Sequence, residues 1–299
     1  TYPALNCSYD SLAFPGNFFV QLYQDYCRLV SARVAAAGSR LLIRKDTCTI
    51  TNRKVGDRMN QITLFGDIHA NLPALQAVWA EMDRRGLERR FCLGDLVGYG
   101  VQPNEVVQFM RDHDVPTLMG NYDEGVGYDS DDCGCAYRTP QAQALGEQSI
   151  AWSNAHVTAE NKAYLRNLPM TMSLILDKLR LTLVHGSPRR INEYLYEDRP
   201  DSSIQRLFDL VGADVLVCGH THKPYDRALP GGHRLINADS VGKPKDHDPR
   251  AGFVILTVDG RELQTEFVRV EYDVEKAARA IEATEMPGEF AVMLRKGIG

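Results

Sequence analysis

Apolar runs and amphipathic stretches alternate along the chain from residue 59 onward. Residues 62–65 form a short apolar run typical of a buried strand, and residues 72–85 carry apolar side chains at helical spacing until Gly86. The pattern then repeats as a strand, a helix and a strand, predicted at 91–93, 105–111 and 115–119. A β-α-β-α-β order predicts parallel strands joined by right-handed crossovers.

The pattern changes after a long helical region at 141–166. Two apolar runs joined at Asp177-Lys178 indicate a β-hairpin, and further strands follow it. The predicted strands of this half lie at 174–176, 179–184, 215–217, 235–236, 253–258 and 264–270, and a last helix begins near Asp273. A parallel first half followed by a mostly antiparallel second half predicts an α/β fold with two packed mixed sheets and helices outside them.

Residues 1–58 differ from the rest of the chain. They contain a helical pattern at 18–37, a short apolar piece at 41–43 and a charged run at 52–58, and Met59 is followed at once by the first buried strand. We predict that residues 1–58 are an N-terminal extension outside the catalytic fold and that residues 59–299 form one domain. The alternative is a genuine N-terminal subdomain.

The composition excludes several classes of protein. Of the 299 residues, 44% are hydrophobic and 24% are charged, as in an ordinary globular protein and unlike a disordered or fibrous chain. A formal net charge of −5 argues against general nucleic-acid binding. No apolar run reaches the ~18 residues of a membrane span, and no secretory signal is recognisable. Seven irregularly spaced cysteines favour reduced thiols, so we expect a cytoplasmic protein with no membrane association.

Polar residues with ligand chemistry follow five of the predicted strands. Because the carboxyl ends of parallel strands share one edge of a sheet, we expect these residues to converge. They are Asp67, His69, Asp95, Asn121, His185, His220 and His222. Oxygens and imidazoles without thiolates suit Mn, Fe, Ni or Zn. Seven ligands exceed the needs of one ion but suffice for two ions that share a bridge, the usual apparatus of phosphate-ester hydrolysis.

The order of these motifs resembles that of the calcineurin-like metallophosphoesterases, and most of all the small bacterial phosphodiesterase-type members. The resemblance spans residues 61–267 and implies a four-layer α/β/β/α sandwich of two mixed sheets flanked by helices. It implies a first metal held by Asp67, His69 and His222. A second metal would be held by Asn121, His185 and His220, with Asp95 bridging both.

Tyr122 departs from the pattern of many members, which have a histidine after Asn121 that assists the leaving oxygen. Tyrosine has an ordinary pKa near ~10 and is a poorer acid at neutral pH. The change favours phosphodiesters or other substrates with good leaving groups. The alternative is that Tyr122 only packs. The expected catalytic residues are Asp95, Asn121, Tyr122 and Asp123.

The function expected from these residues is hydrolysis of phosphate esters by a hydroxide that bridges two divalent ions, with Mn first and Fe, Ni or Zn as alternatives. The expected substrates are small phosphodiesters or nucleotide-like phosphate esters. A rival interpretation is a phosphomonoesterase, such as a serine/threonine protein phosphatase. A rival from another class is a catalytically weak metal-binding scaffold.

Three further features have two interpretations each. Arg189 and Arg190 follow His185 and are candidates to contact the substrate phosphate, or are simply solvated. Residues 131–135 are expected to form a substrate-side loop without a metal, although the loop could also bind a third ion. Lys243 and Lys245 either face an anionic substrate or lie in a solvated loop, which is the simpler interpretation.

Overall fold

The computed structural model describes residues 39–44, 47–52 and 60–299. The strands are β1 (Ser39–Arg44), β2 (Thr47–Asn52), β3 (Gln61–Phe65), β4 (Arg90–Cys92), β5 (Thr171–Leu176), β6 (Leu179–Val184), β7 (Val215–Cys218), β8 (Tyr225–Ala228), β9 (Arg234–Asn237), β10 (Ala251–Asp259) and β11 (Glu262–Val270). The α-helices are α1 (Leu72–Arg84), α2 (Pro103–Asp112), α3 (Asn121–Gly127), α4 (Pro140–His156), α5 (Ala159–Arg166), α6 (Asp201–Val211), α7 (Val274–Glu282) and α8 (Glu289–Lys296). None of the helices in these ranges is long and apolar enough to cross a membrane.

The strands form two mixed sheets. One has the order β1-β2-β5-β6-β7-β9-β8 and the other the order β11-β10-β3-β4. Strands β3 and β4 are parallel, and β7 is parallel to both of its neighbours, β6 and β9. The parallel pairs bring the carboxyl ends of β3, β4, β6, β7 and β9 to the edges from which the candidate ligands project.

Period-two burial along the strands builds three apolar layers. Ile62, Leu64 and Val217 belong to the core that the two sheets share, with partners from both sheets. Phe65, on the opposite face of its sheet, packs with side chains of α1 and α2. Leu216, on the opposite face of the larger sheet, packs with side chains of α6. The layers therefore run helix, sheet, sheet, helix, which confirms the predicted four-layer sandwich.

Some local predictions are wrong in instructive ways. The strand expected at 115–119 is reduced to a single parallel bridge between Cys92 and Thr117. Pro116 has no backbone N–H, so the ladder does not extend there. The helical region at 141–166 is two helices, and the single last helix is also two, α7 and α8. Helices α3 and α6 and the short strand β8 were not anticipated.

The N-terminal segment contributes β1 and β2. These pair antiparallel with each other, and β2 pairs in parallel with β5 from Cys48–Met172 to Thr51–Ile175. The helical pattern at 18–37 lies outside the described residues. The boundary at Met59 therefore remains a prediction, and it has a structural consequence: a chain without residues 1–58 would expose the edge of β5.

Candidate metal centre

The seven predicted ligands meet where the two sheets end. Asp67 and His69 follow β3, Asp95 follows β4, and His185 follows β6. The last three are Asn121, His220 and His222, of which Asn121 begins α3 and the two histidines follow β7. Each of the seven side chains is no more than 2% exposed. The structure therefore brings the seven predicted ligands together, and their role as metal ligands stays a prediction.

One half of the cluster contains Asp67, His69, Asp95 and His222, whose ligand atoms all lie within 4.8 Å of one another. The Nε2 atom of His69 lies 3.5 Å from Oδ2 of Asp95 and 3.2 Å from Nε2 of His222. Oδ1 of Asp67 lies 3.5 Å from Nε2 of His222. Four potential ligand atoms thus surround one point.

The other half contains Asp95, His185 and His220, again with ligand atoms within 4.8 Å. The Nε2 atom of His185 lies 3.4 Å from Oδ2 of Asp95 and 2.9 Å from Oδ1 of Asn121. The backbone N–H of His220 donates to Oδ2 of Asp67 at 3.0 Å, which ties the two halves together. Because Oδ2 of Asp95 faces a histidine of each half, it has the position of a bridging ligand.

The hydrogen bonds of the histidines show which ring nitrogen carries a proton. The Nδ1 atoms of His69, His222 and His185 contact the carbonyl oxygens of Val97, Lys243 and Leu93, respectively. A carbonyl only accepts, so each Nδ1 carries a proton, and the neutral rings of His69 and His222 each have a lone pair at Nε2. The Nε2 atoms of His69 and His222 therefore present two lone pairs to each other across 3.2 Å.

A divalent cation fits this donor set. The Nε2 atom of His220 is buried and has no hydrogen-bond partner among the described residues. Facing lone pairs and an unpartnered buried nitrogen are costly without a positive charge between them. Imidazole nitrogens with carboxylate oxygens, oriented by carbonyl groups behind them, are ligands of first-row divalent ions. The chain has a candidate centre for divalent metal ions.

The electrostatics of the residues agree with this interpretation. Burial lowers the pKa of His69 to about 3 and the pKa of His222 well below its usual range, so both rings are neutral. Burial raises the pKa of Asp67 to about 7. Burial alone would lower the pKa of His185, but the Asp95 charge raises it to about 10. Without a bound cation, a proton on His185 therefore compensates Asp95.

The backbone at the site is held in a sparsely populated conformation. The φ angles of Asp67, His69, Asp95, His220 and His222 are all positive, between 48° and 65°. Non-glycine residues adopt this left-handed region at a cost and mainly where the surrounding structure enforces it, often at functional sites. Five of the seven candidate ligands share this conformation, so the surrounding structure holds the backbone of these ligand loops in place.

Close backbone approach explains the glycines beside Asp95. A Cβ atom on Gly120 would lie 2.1 Å from Oδ1 of Asp95. A Cβ atom on Gly94, where φ is +92°, would lie 2.4 Å from the backbone N of Gly120. Any side chain at either position would push apart the loops that carry Asp95 and Asn121.

The loop after Gly120 is fixed by the residues next to Asn121. The backbone N–H of Tyr122 donates to Oδ1 of Asp95 at 2.9 Å. Asp123 accepts from the backbone N–H groups of Leu96 and Gly120, so its carboxylate joins two ligand loops. Asp123 is fully buried, and burial raises its pKa to about 7. Its observed contacts are those of a positioning residue.

The Tyr122 side chain is buried beside the cluster. Its ring lies edge-on to His69 with centroids 5.6 Å apart, and its hydroxyl lies 3.3 Å from that of Tyr137. Burial raises the pKa of Tyr122 well above its usual value. The hydroxyl is therefore a weak acid at neutral pH.

The remaining predicted residues have different positions. Arg189 and Arg190 lie outside the ligand cluster and are exposed, and the Arg189 guanidinium pairs with Glu193. The loop of residues 131–135 contacts the site. The Asn121 amide donates to the carbonyl of Cys133 at 2.9 Å and to Sγ of Cys135 at 3.3 Å. This contact directs Oδ1 of Asn121 toward His185.

Sequence reasoning missed two contributors. Lys243 is buried, so the solvated-loop interpretation is wrong for it, and its carbonyl holds His222. The Tyr194 ring packs on His220 with centroids 4.0 Å apart. A signal for Lys243 was present in the polar residues Asn237, Asp239 and Ser240 just before it, which follow a predicted strand as the five ligand loops do. Nothing in the local pattern marks Tyr194.

Comparison with known proteins places the chain in a family. The family model described as "Calcineurin-like phosphoesterase superfamily domain" matches residues 60–261. An uncharacterised protein of Methanocaldococcus jannaschii is 34% identical over 245 residues, which is 76% of this chain and 94% of the relative.

Solved structures agree. A metallophosphoesterase from Sphaerobacter thermophilus matches with a TM-score of 0.62 and 28% identity, covering 80% of this chain and 99% of that chain. A hypothetical protein from Pyrococcus horikoshii has the same fold, with a TM-score of 0.68 and 23% identity over 79% of this chain and 98% of that chain. The chain belongs to the calcineurin-like phosphoesterase superfamily.

Proposed function

We propose that the protein is a two-metal hydrolase of small phosphodiesters or nucleotide-like phosphate esters. The observation that carries the proposal is the pair of neutral histidines, His69 and His222, whose Nε2 lone pairs face each other at 3.2 Å beside two carboxylates. Such an arrangement is stable with a cation between the groups. The family is one of phosphoesterases, which gives the reaction class.

The proposed roles follow the two halves of the cluster. Asp67, His69 and His222 hold the first ion, and Asp95 bridges. The second ion is held by Asn121, His185 and His220. Two divalent ions supply a nucleophile at neutral pH and compensate the charge of the phosphoryl oxygens, with Mn²⁺ as our first choice and Fe, Ni or Zn as alternatives.

The preference for diesters rests on Tyr122. A buried tyrosine hydroxyl that contacts Tyr137 is a poor proton donor for a leaving alkoxide. Substrates whose leaving groups need little protonation, such as aryl diesters, are then favoured over alkyl monoesters. We further propose a cytoplasmic location, on the ground of the irregularly spaced cysteines.

Turnover assays on metal-loaded protein test the proposal. The full chain is stripped of metal, reloaded with Mn²⁺ and assayed with bis(p-nitrophenyl) phosphate and p-nitrophenyl phosphate while bound metal is counted by mass spectrometry. We expect two ions per chain and a higher kcat/KM for the diester. His185→Ala should lose activity and one ion, whereas the exposed His113→Ala serves as the matched control and should lose neither.

The rival functions give different results in the same assay. A higher kcat/KM for the monoester would identify a phosphomonoesterase. Two bound ions without turnover of either ester would identify a metal-binding scaffold. One ion, or none, would contradict the two-metal centre itself.

We also propose that the catalytic domain begins at Met59. The matched family region begins at residue 60, and all seven proposed ligands lie beyond it. A chain of residues 59–299 should fold and hydrolyse the aryl diester at the rate of the full chain. Aggregation or loss of activity would instead assign β1 and β2, and with them the covered edge of β5, to the domain.

A further inference from the structure

A cavity of about 450 Å³ adjoins the candidate metal centre. Thr221, which lies between His220 and His222 in the chain, lines it. Tyr194, whose ring packs on His220, forms another part of the wall. The volume is in the ~300–1,000 Å³ range of small-molecule sites. The cavity therefore begins beside the segment that carries two of the candidate ligands, His220 and His222.

Basic side chains line the cavity. Its wall includes Arg138, Lys223, Lys243 and Lys245, and none of the described side chains that line it is acidic. This is unexpected in a chain with a formal net charge of −5. The cavity therefore concentrates positive charge next to the metal centre, which attracts anions.

A neighbouring cavity provides an internal comparison. It shares Ala136, Tyr137 and Gly146 with the first but is also lined by Asp131, Asp132 and Glu147, and by no lysine or arginine among the described residues. Two neighbouring cavities thus differ in the charge of the side chains that line them. An anionic ligand is directed to the lysine-lined side.

The lysine-lined cavity also offers flat aromatic surfaces. Tyr194 and Tyr196 stack on each other with centroids 5.5 Å apart and planes inclined by 13°. Tyr99 and Tyr137 also line the cavity, and the Lys243 ammonium lies 4.7 Å from the Tyr99 ring centroid. Tyrosine faces of this kind stack with bases and other aromatic rings.

We propose that this cavity binds the part of the substrate beyond the scissile phosphate, and that this part contains an aromatic ring and a second anionic group, as in a nucleotide with at least two phosphates. The inference rests on the proposed function, which it deepens by naming the substrate class. The ring lies against the tyrosines, and the second phosphate lies among the lysines.

The surplus of charge requires the second anionic group. The scissile phosphate of a diester has one negative charge, and the two proposed metal ions at the ligand cluster already compensate it. Arg138 and Lys223 are additional positive charges outside that cluster. Burial lowers the pKa of Lys243 and of Lys245, and an anionic group bound beside them favours their protonated forms. Aromatic rings alone would not need them, and a phosphate alone would not need the tyrosines.

Calorimetric titration of the metal-free full chain with ADP, AMP and pyrophosphate tests the proposal without turnover. We expect ADP to bind about tenfold more tightly than either AMP, which lacks the second phosphate, or pyrophosphate, which lacks the ring. Lys245→Ala should reduce the advantage of ADP over AMP, and Tyr196→Ala should reduce the advantage of ADP over pyrophosphate. The matched controls are Lys178→Ala and Tyr128→Ala, whose exposed side chains lie outside the cavity and should leave both ratios unchanged.

Three results would overturn the proposal: ADP binding no more tightly than pyrophosphate, ADP binding no more tightly than AMP, or cavity variants that behave as their controls do. Failure of the proposed function is distinguishable. If Mn²⁺-loaded protein hydrolyses no phosphoester, but ADP still binds in a manner sensitive to Lys245 and Tyr196, the cavity assignment stands and the hydrolase does not. If aryl diesters are hydrolysed and both ratios are unaffected, only the cavity assignment falls.

Discussion

The two halves of the candidate metal centre are held by different kinds of contact. In the first half, His69 and His222 are anchored by the backbone carbonyls of Val97 and Lys243, and the carbonyl of Asp67 accepts from the backbone N–H of Gly242 at 2.9 Å. In the second half, the orientation of Asn121 depends on a contact with the Cys135 side chain as well as on a carbonyl. The ligand side chains of the first half are thus held by main-chain groups, whereas Asn121 in the second half depends partly on a replaceable side chain.

This difference predicts unequal tolerance to mutation. Backbone groups are present whatever the side chain, so the first half keeps its supports through most substitutions. Loss of an outer partner of a metal ligand typically costs ~10–100-fold in affinity or activity. The second metal should therefore be the one that neighbouring mutations weaken.

Substitution of Asp95, which faces a histidine of each half, should give the largest effect. In Asp95→Asn, an amide can still accept from the Tyr122 N–H, but the charge is lost and an NH₂ group can face His69 and His185. We expect turnover to fall by at least ~10³-fold, which is more than loss of an outer partner costs. Bound metal should fall from two ions to one or none, as counted by mass spectrometry.

The control for this variant is Asp112→Asn, an exposed carboxylate at the end of α2. It should keep both ions and full activity. Near-normal turnover with two ions in Asp95→Asn would show that the halves do not share a bridge, and the comparison would then be between two independent sites.

Substitution of Cys135 should affect the second half of the centre and not the first. Cys135→Ala removes the Sγ acceptor from the Asn121 amide, so Oδ1 is less firmly directed toward His185. We expect the second ion to bind ~10-fold more weakly and the first to be unaffected, as measured by stepwise removal with a chelator. Cys135→Ser restores an acceptor and should recover most of the affinity. Equal loss of both ions would contradict the separation.

The sequence predicted which candidate ligands meet better than it predicted the groups that hold them. Asp67, Asp95 and His220 follow strand ends beside glycines, which is a local pattern, and parallel strands then bring such residues together. The supports are long-range: Cys135 lies 14 residues from Asn121, and Lys243 lies 21 residues from His222. A carbonyl belongs to every residue, so no residue type identifies the one that anchors a histidine.

The fold shows the same limit. The apolar alternation of Ile62, Leu64 and Val217 predicts buried strands, and the layers follow from it. The strand predicted around Thr117 is only a bridge because Pro116 lacks a donor, a local fact that the apolar pattern outweighed. The alternation of apolar residues therefore predicted the layers of the fold, whereas single residues such as Pro116 determine where a strand ends.

Asp239 tests the support of the first half by its pH dependence. It is fully buried, precedes the Ser240 hydroxyl that donates to the Asp67 carbonyl, and pairs with Arg269 at 3.0 Å. Burial raises its pKa from 3.8 to about 7, although Arg269 opposes the shift. The folded state therefore holds a proton on Asp239 in a pH range where the unfolded state has lost it.

The sign follows from proton linkage. Stability contributed by a group whose pKa is raised on folding is complete below the unfolded pKa of 3.8 and is lost as pH rises through about 7. Asp239→Asn removes this titration, so its Tm relative to the wild type should increase between pH 5 and pH 8. A change of ~2–4 °C would correspond to each kcal/mol. A flat difference for Asp239→Asn would contradict the raised pKa.

Tyr122 should give the smallest effect, because it donates a hydrogen bond to a candidate ligand only through its backbone N–H. Tyr122→Phe keeps that contact and loses one hydroxyl contact with Tyr137, so kcat/KM for bis(p-nitrophenyl) phosphate should change by less than ~3-fold.

Tyr122→His places a stronger acid beside His69 and should raise activity on alkyl monoesters more than on aryl diesters. Acid assistance is worth ~10²–10⁴-fold in rate, and it matters most for basic leaving groups. Both substrates are assayed in both variants with saturating Mn²⁺. A hundredfold loss on the aryl diester in Tyr122→Phe would show that the hydroxyl takes part in catalysis.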